Sequence, residues 1–142
     1  MRQRRFKPAY YKMEKRAVIA VVNYNGKILL GKKRRDSPKV LAGEWHILGE
    51  TVEDGETDEE ALKRGVMQEA NLEITVGRYL GSHITPTNKR EAKWYECFAN
   101  TYQVKPGSDL EDIQWAYRNE VLDICGLRAS SWPQEIKDYF KA

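Results

Sequence analysis

A chain of 142 residues that is 41% hydrophobic can bury a core without metal or disulfide staples and is short enough for one compact domain. No apolar run approaches the roughly 18 residues that cross a bilayer, and the two cysteines, Cys97 and Cys125, have no CxxC or Cys/His spacing. That argues against a membrane protein, a disulfide framework and a zinc module, and places the expected protein in a reducing interior, the cytoplasm. The net charge of +3 is small but uneven. Arg2, Arg4, Arg5, Lys7, Lys12, Lys15 and Arg16 load the start, and Lys32, Lys33, Arg34 and Arg35 form a second basic run. Each run reads plainly as a solvated face, and functionally as a rim for a phosphorylated ligand.

Residues 1–15 show no period and read as a basic arm in which Tyr10 and Tyr11 could dock, leaving residues 16–142 as a single domain. Ala17 to Val22 is a β-branched run expected to be a buried strand, and Asn25-Gly26 is a two-residue hairpin signal that returns the chain through Lys27 to Gly31. Asp36-Ser37-Pro38 opens a loop, after which Glu44 to Leu48 forms a short strand. Further on, Glu73 to His83 reads as a strand pair or a bent strand interrupted by Gly77 and Gly81. Ala92 to Val104 reads as one long strand with Trp94, Glu96 and Phe98 on one face and Tyr95, Cys97 and Ala99 on the other. A short strand over residues 113–117 follows a second acidic patch, Glu111 and Asp112. Asn119 is placed to cap a short helix ending near Cys125, and Trp132-Pro133 opens a last amphipathic helix.

The most informative stretch lies between these elements. Glu50, Glu53, Asp54, Glu56, Asp58, Glu59 and Glu60 succeed one another with no Lys or Arg before Lys63. So dense a cluster is either a solvated acidic loop or a place for divalent cations. Thr57 with Glu60 is a capping box, so a helix should begin at Asp58, its acidic first turn complementing the helix dipole. Leu62, Val66 and Ala70 make its apolar stripe, and Asn71 is a left-handed C-cap in place of glycine. On that wheel Glu69 falls about 20° from Leu62, inside the stripe, and Gly65 about 60° away on the same side. A carboxylate there needs a cation, a hydrogen-bond partner or a raised pKa. A glycine in mid-helix costs about 1 kcal/mol relative to alanine, so either a neighbour packs closely against it or a side chain has been lost.

These residues resemble the signature of the Nudix (MutT-like) hydrolases, Gly-x5-Glu-x7-Arg-Glu-U-x-Glu-Glu-x-Gly-U with U aliphatic. Gly55-Glu56 matches the internal Gly-Glu and the first glutamate, Arg64 the arginine, Val66 and Leu72 the aliphatic positions, and Glu69 the last glutamate. Trp45 and Leu48-Gly49 resemble the Trp-x-x-Pro-Gly-Gly segment before the box, and Trp115 and Glu120 a later Trp and acidic residue, so the likeness covers about residues 16–125. Four positions depart from the pattern. Glu50 stands at the first glycine, Gly65 at the glutamate after the arginine, Gln68 at the first of the paired glutamates, and Asn71 at the closing glycine.

The resemblance implies an α/β protein of the Nudix fold, a mixed β-sheet sandwiched between helices (α/β/α). It implies hydrolysis of a pyrophosphate bond in a nucleoside-diphosphate-linked substrate, with Mg²⁺ or Mn²⁺ bridging phosphate oxygens and activating a water. Carried onto this chain, the expected catalytic residues are Glu69, Arg64 and Glu56. The expected metal set is Glu69, Gln68 through its amide oxygen, and Glu111, with Glu56 a further candidate beside Glu69 and Glu111. The expected substrate contacts are Arg34, Arg35, Trp45 and Gly49, with Tyr24, Trp94 and Tyr117 as further aromatic candidates for stacking a base. His46, beside Trp45 on a strand expected to face the cleft, is a further candidate for ligand contact. With two helix carboxylates missing, weakened catalysis is expected, and one variant carrying both Gly65→Glu and Gln68→Glu is expected to gain hydrolysis. The alternative is a non-catalytic module that binds a nucleotide or nucleotide sugar. A homodimer is compatible with either, whereas the absence of an aromatic RNA-binding motif weighs against a nucleic-acid partner.

Overall fold

A computed structural model of the chain describes residues 15–39, 42–107 and 109–142. The basic arm expected over residues 1–15 lies, but for Lys15, outside these described residues. Six strands form one mixed sheet: β1 (Ala17–Tyr24), β2 (Lys27–Lys33), β3 (Trp45–Thr51), β4 (Thr75–Ile84), β5 (Glu91–Phe98) and β6 (Leu110–Tyr117), in the order β4-β5-β1-β3-β2-β6. Helix α1 (Asp58–Ala70) follows β3, and α2 (Val121–Cys125) and α3 (Gln134–Lys141) follow β6. β1 runs parallel to β5 and antiparallel to β2 and β3. The β1–β2 hairpin closes at Asn25 and Gly26, both with positive φ (49° and 77°), the twist-matched conformation that Asn-Gly adopts cheaply.

Alternation along the strands sends side chains to two cores. Val18, Ala20, Val22, Leu29 and Leu48 face α1, meeting Leu62, Val66 and Ala70. Val21, Ile28, Leu30, Ile47 and Trp94 face the other side, where Val121 and Cys125 of α2 and Ile136 and Phe140 of α3 cover them. Each fully buried Leu or Ile contributes about 2 kcal/mol of transfer free energy, so the two layers hold α1 and the C-terminal helices on opposite faces. The fold is thus the α/β/α arrangement expected.

Three elements differ from the sequence reading. β5 stops at Phe98 and does not continue to Val104. The chain leaves the sheet there to satisfy the end of α1, whose last carbonyls need donors. Lys105 N–H donates to Ala70 O (3.0 Å), Gly107 N–H donates to Glu69 O (2.8 Å), and Asn71 Nδ2 donates to Lys105 O (2.8 Å). β6 begins at Leu110, so Glu111 and Asp112 are strand residues paired with β2 rather than part of a loop. Asn119 caps nothing; it lies in a 3₁₀ turn, Arg118–Glu120, where the Glu120 carboxylate accepts the Tyr117 N–H (3.1 Å).

Candidate active site

The site is built on the first turns and the sheet-facing side of α1. Thr57 and Glu60 exchange both capping-box hydrogen bonds, Glu60 N–H to Thr57 Oγ1 at 3.1 Å and Thr57 N–H to Glu60 Oε1 at 2.9 Å, which fixes the start of the helix. Ahead of it, Gly55 takes a positive φ of 81° that turns the loop back on itself, and Glu56 Oε1 accepts the Glu53 N–H (3.0 Å). Two turns into the helix, Arg64 reaches back over this loop. Its Nε and Nη2 donate to the two oxygens of Glu56 (2.7 and 2.9 Å), Nη2 also donates to Thr51 O (2.8 Å), and Nη1 lies 3.2 Å from Glu50 Oε2. The two-pronged geometry is the strong form of an Arg–carboxylate pair. It holds the Glu56 carboxyl down at about 2, chiefly through the hydrogen bonds from Arg64.

Glu69 lies on the same helix but on its buried side, where the wheel placed it. Its Oε1 is buried with no hydrogen-bond partner. Burial pushes its pKa up to about 8, the nearby Glu50 charge adds to the rise, and Lys33 opposes it. Glu50 comes from β3, where strand alternation turns His46, Leu48 and Glu50 toward α1. Its Oε1 accepts the Thr51 N–H (2.9 Å). Glu50, Gly65 and Glu69 line one narrow cleft between β1, β3 and α1 whose remaining walls are apolar: Val18, Ala20, Leu48, Leu62 and Val66. A Cβ added at Gly65 would stand 2.7 Å from Glu50 Cβ and 3.0 Å from its Cγ. The mid-helix glycine is therefore where the Glu50 side chain passes over the helix.

Other expected residues lie elsewhere. Gln68 is exposed, and its amide oxygen is taken up by Arg64 Nη1 (3.3 Å). Glu111 accepts the Arg35 N–H (3.1 Å) and pairs with Lys32 and Arg35, both at 3.5 Å. The set Glu69, Glu56 and Glu111 is not gathered: among the described residues no three His, Cys, Asp or Glu side chains converge to hold a metal ion. Arg34, paired with Asp36 at 3.1 Å, and Arg35 are exposed on the rim after β2. Trp45 packs into the core under α2 and α3, on the face away from α1, because its register on β3 is opposite to that of His46 and Glu50. Gly49 pairs with Ile19, and a Cβ there would lie 3.3 Å from Val18 O. Trp94, only 1% exposed, is core and cannot stack a base, whereas Tyr24 and Trp115 sit 5.9 Å apart at the sheet end and Tyr117 is exposed.

His46 is 7% exposed, its Nδ1 faces Ile47 O at 2.9 Å and its Nε2 has no partner. Burial holds its pKa below the ordinary value. Sequence reasoning missed Glu50 as a site residue. The signal was present as two departures from the box, one residue gained at 50 and one lost at 65, which only the fold shows to be neighbours.

The profile of the NUDIX domain matches residues 13–135. The chain belongs to the NUDIX family. Over 66 residues it is 39% identical to the CTP pyrophosphohydrolase of Escherichia coli K12, covering 46% of this chain and 47% of that protein. It is 26% identical over 118 residues to the NAD-capped RNA hydrolase of Homo sapiens, covering 82% of this chain and 25% of that protein. The chain thus spans less than half the length of either relative. Among solved structures, a NUDIX hydrolase from Nitrosomonas europaea superposes with a TM-score of 0.75 at 18% identity, over 92% of this chain and 72% of that one.

The fold agrees with that neighbour, and the NUDIX helix is α1. Two features of the NUDIX site fit the divalent cation that the fold family implies. One carboxylate oxygen, Glu69 Oε1, is buried without a partner, and a second carboxylate, Glu50, fills the space left by Gly65 in the same cleft. Mg²⁺ is commonly held by one or two carboxylates plus substrate phosphates rather than by an all-protein cage.

Proposed function

We propose that the chain is a divalent-metal-dependent hydrolase that cleaves the pyrophosphate linkage of a nucleoside-diphosphate derivative. The observation that carries this reading is the presentation of Glu69. An arginine clamped by Glu56 and the Thr51 carbonyl fixes α1 against the preceding loop, and the helix then holds a carboxylate oxygen that no protein donor satisfies. Burial without a partner favours the protonated form of Glu69, and a cation bound beside it favours the carboxylate. A cation bound there supplies Lewis acidity toward the pyrophosphate oxygens. The remaining roles belong to the chain. Glu69 contributes negative charge and oxygen ligation, Arg64 and Glu56 hold the loop and helix in register, and Arg34 and Arg35 on the rim meet the outer phosphates. In the reaction, water oxygen bonds to phosphorus, the bridging P–O bond breaks, and the proton from water passes to solvent or to a carboxylate of the cleft.

The names of the relatives support a nucleotide carrying a phosphoanhydride. The test is incubation of the purified chain with CTP, NAD, ADP-ribose and a nucleotide sugar in Mg²⁺ or Mn²⁺, with products separated by ion-exchange chromatography. Cleavage of at least one, lost in E69Q and in EDTA, is the expected result. A second reading, a module that binds a nucleotide without cleaving it, is favoured by one observation: no three metal-ligating side chains converge among the described residues. Binding by calorimetry with no turnover in any metal would establish it and exclude the first.

A further inference from the structure

The exchange at positions 50 and 65 goes beyond the reading of the site given above, on which its functional half rests. The box pattern puts glycine at 50 and a carboxylate at 65; this chain has the carboxylate at 50 and glycine at 65. The two positions face each other across the β3–α1 cleft, and a Cβ at 65 would lie 2.7 Å from Glu50 Cβ, 3.0 Å from Cγ and 3.3 Å from Oε2. Glu50 Cβ and Cγ therefore stand inside contact distance of the first carbon that any side chain at 65 would add, and Oε2 stands close to it. Its carboxylate is oriented from both sides, by the Thr51 N–H on Oε1 (2.9 Å) and by Arg64 Nη1 at 3.2 Å from Oε2. It lines the same cleft as Glu69, whose Oε1 is buried without a partner.

We propose that Glu50 is the second carboxylate of the cation seat, supplied from strand β3 across the gap left by Gly65, and that with Glu69 it takes a divalent cation together with substrate phosphate oxygens. The carboxylate has changed element, not disappeared. Two glutamate side chains held on rigid elements match what Mg²⁺ or Mn²⁺ requires of a protein that leaves its other positions to water and phosphate. Gly65→Glu, one half of the double change expected from the sequence to raise hydrolysis, places a second side chain against Glu50.

The test uses the full chain and Mn²⁺ alone, with free Mn²⁺ followed by electron paramagnetic resonance and thermal melting recorded in EDTA. E50Q keeps the stem that packs on Gly65 and removes the charge. It is expected to melt close to wild type and to bind Mn²⁺ about tenfold or more weakly, the loss typical when a charged oxygen donor is neutralised. G65E is expected to melt lower than wild type. E50G/G65E, which returns the carboxylate to the helix, is expected to recover both melting temperature and Mn²⁺ affinity to within about threefold of wild type. E50Q binding Mn²⁺ as tightly as wild type would overturn the assignment of Glu50 while leaving the hydrolase reading intact. A folded E50G/G65E protein that binds no better than E50Q would also overturn it. Wild type that takes up no Mn²⁺ in the presence or absence of nucleotide would remove the metal-dependent reading and this inference together.

Discussion

Substitution of Gly65 by alanine sets two terms of known sign against each other. In a helix interior, Gly→Ala stabilises by about 1 kcal/mol because the glycine backbone has more freedom to lose. Against this stands the new Cβ, 2.7 Å from Glu50 Cβ, where carbon atoms rest at about 3.5–4.0 Å. Glu50 Cβ cannot rotate away: it is fixed to a strand whose Cα is paired with Val18 of β1, in the middle of the sheet. Relief requires α1 and β3 to separate, and overpacking of this kind costs about 1–3 kcal/mol. The steric term wins, and G65A is expected to be less stable than wild type by about 1 kcal/mol, a fall of about 3–5 °C in melting temperature for a chain of this size. In an E50G background the opposing atom is gone, so the same substitution is expected to raise stability by about 1 kcal/mol. The coupling of about 2 kcal/mol between the sites is readable from four thermal melts followed by circular dichroism in EDTA. Equal effects of G65A in both backgrounds, or stabilisation by G65A alone, would refute the reasoning.

The Glu56 carboxyl is held down at about 2 by Arg64, below the ordinary 4.5. A depressed folded-state pKa gives stability that is present above about pH 4.5 and lost as pH falls toward about 2. The melting-temperature difference between wild type and E56Q should therefore be largest above pH 5 and shrink through that acid window. A difference that stays constant down to pH 2 would contradict the pairing. At Gly107 a Cβ would stand 2.0 Å from Gln68 O, a contact that backbone cannot absorb. G107A is expected to push the 105–107 segment off the end of α1, to unpair the Glu69 and Ala70 carbonyls and to destabilise by about 3 kcal/mol or more, checked by urea unfolding. Arg34 and Arg35 are exposed, so R34A/R35A should leave the melting temperature within about 2 °C of wild type. The same double variant should raise KM for the cleaved nucleotide several-fold at low salt, with less effect at high salt; an unchanged KM would remove them from the phosphate path.

What could be read from the sequence was what local chemistry decides. Asn25-Gly26 fixed the hairpin through two positive φ angles, and Thr57 with Glu60 fixed the start of α1, because both signals are complete within four residues. Helical periodicity alone placed Glu69 inside the apolar stripe, and its buried, unpartnered oxygen follows. What could not be read depends on contacts between distant segments. The long strand expected to run to Val104 ends at Phe98 because the carbonyls closing α1 draw residues 105 and 107 away from the sheet. Trp45 was expected at the cleft with His46, yet adjacent strand residues point to opposite faces, and only the packing of α2 and α3 decides which face is which. Glu111 was a plausible ligand in an acidic loop until β6 extended to include it and Lys32 and Arg35 closed around it.

The four departures from the box are each accommodated by a local contact, while Glu69 Oε1 beside them keeps no partner of its own. Random loss at a packed site leaves voids and unpaired groups, each costing on the order of 1 kcal/mol or more. Here each replaced side chain has a position that accounts for it. Asn71 takes the left-handed conformation, φ 54°, that the pattern assigns to glycine, and its side chain adds a hydrogen bond to Lys105 O. Gln68 gives its amide oxygen to Arg64, which already serves the carboxylates of Glu50 and Glu56, so a neutral acceptor completes the arginine without crowding a third charge around it. Glu50 fills the space over Gly65, and neither substitution fits the cleft without the other. A glutamate at 50 facing a glutamate at 65 would overlap, and glycine at both would leave a hole beside Glu69. The pairing of the two changes thus satisfies packing as glycine at 50 with a glutamate at 65 would, and it keeps one carboxylate beside Glu69, which is what the proposed move of that side chain to β3 requires.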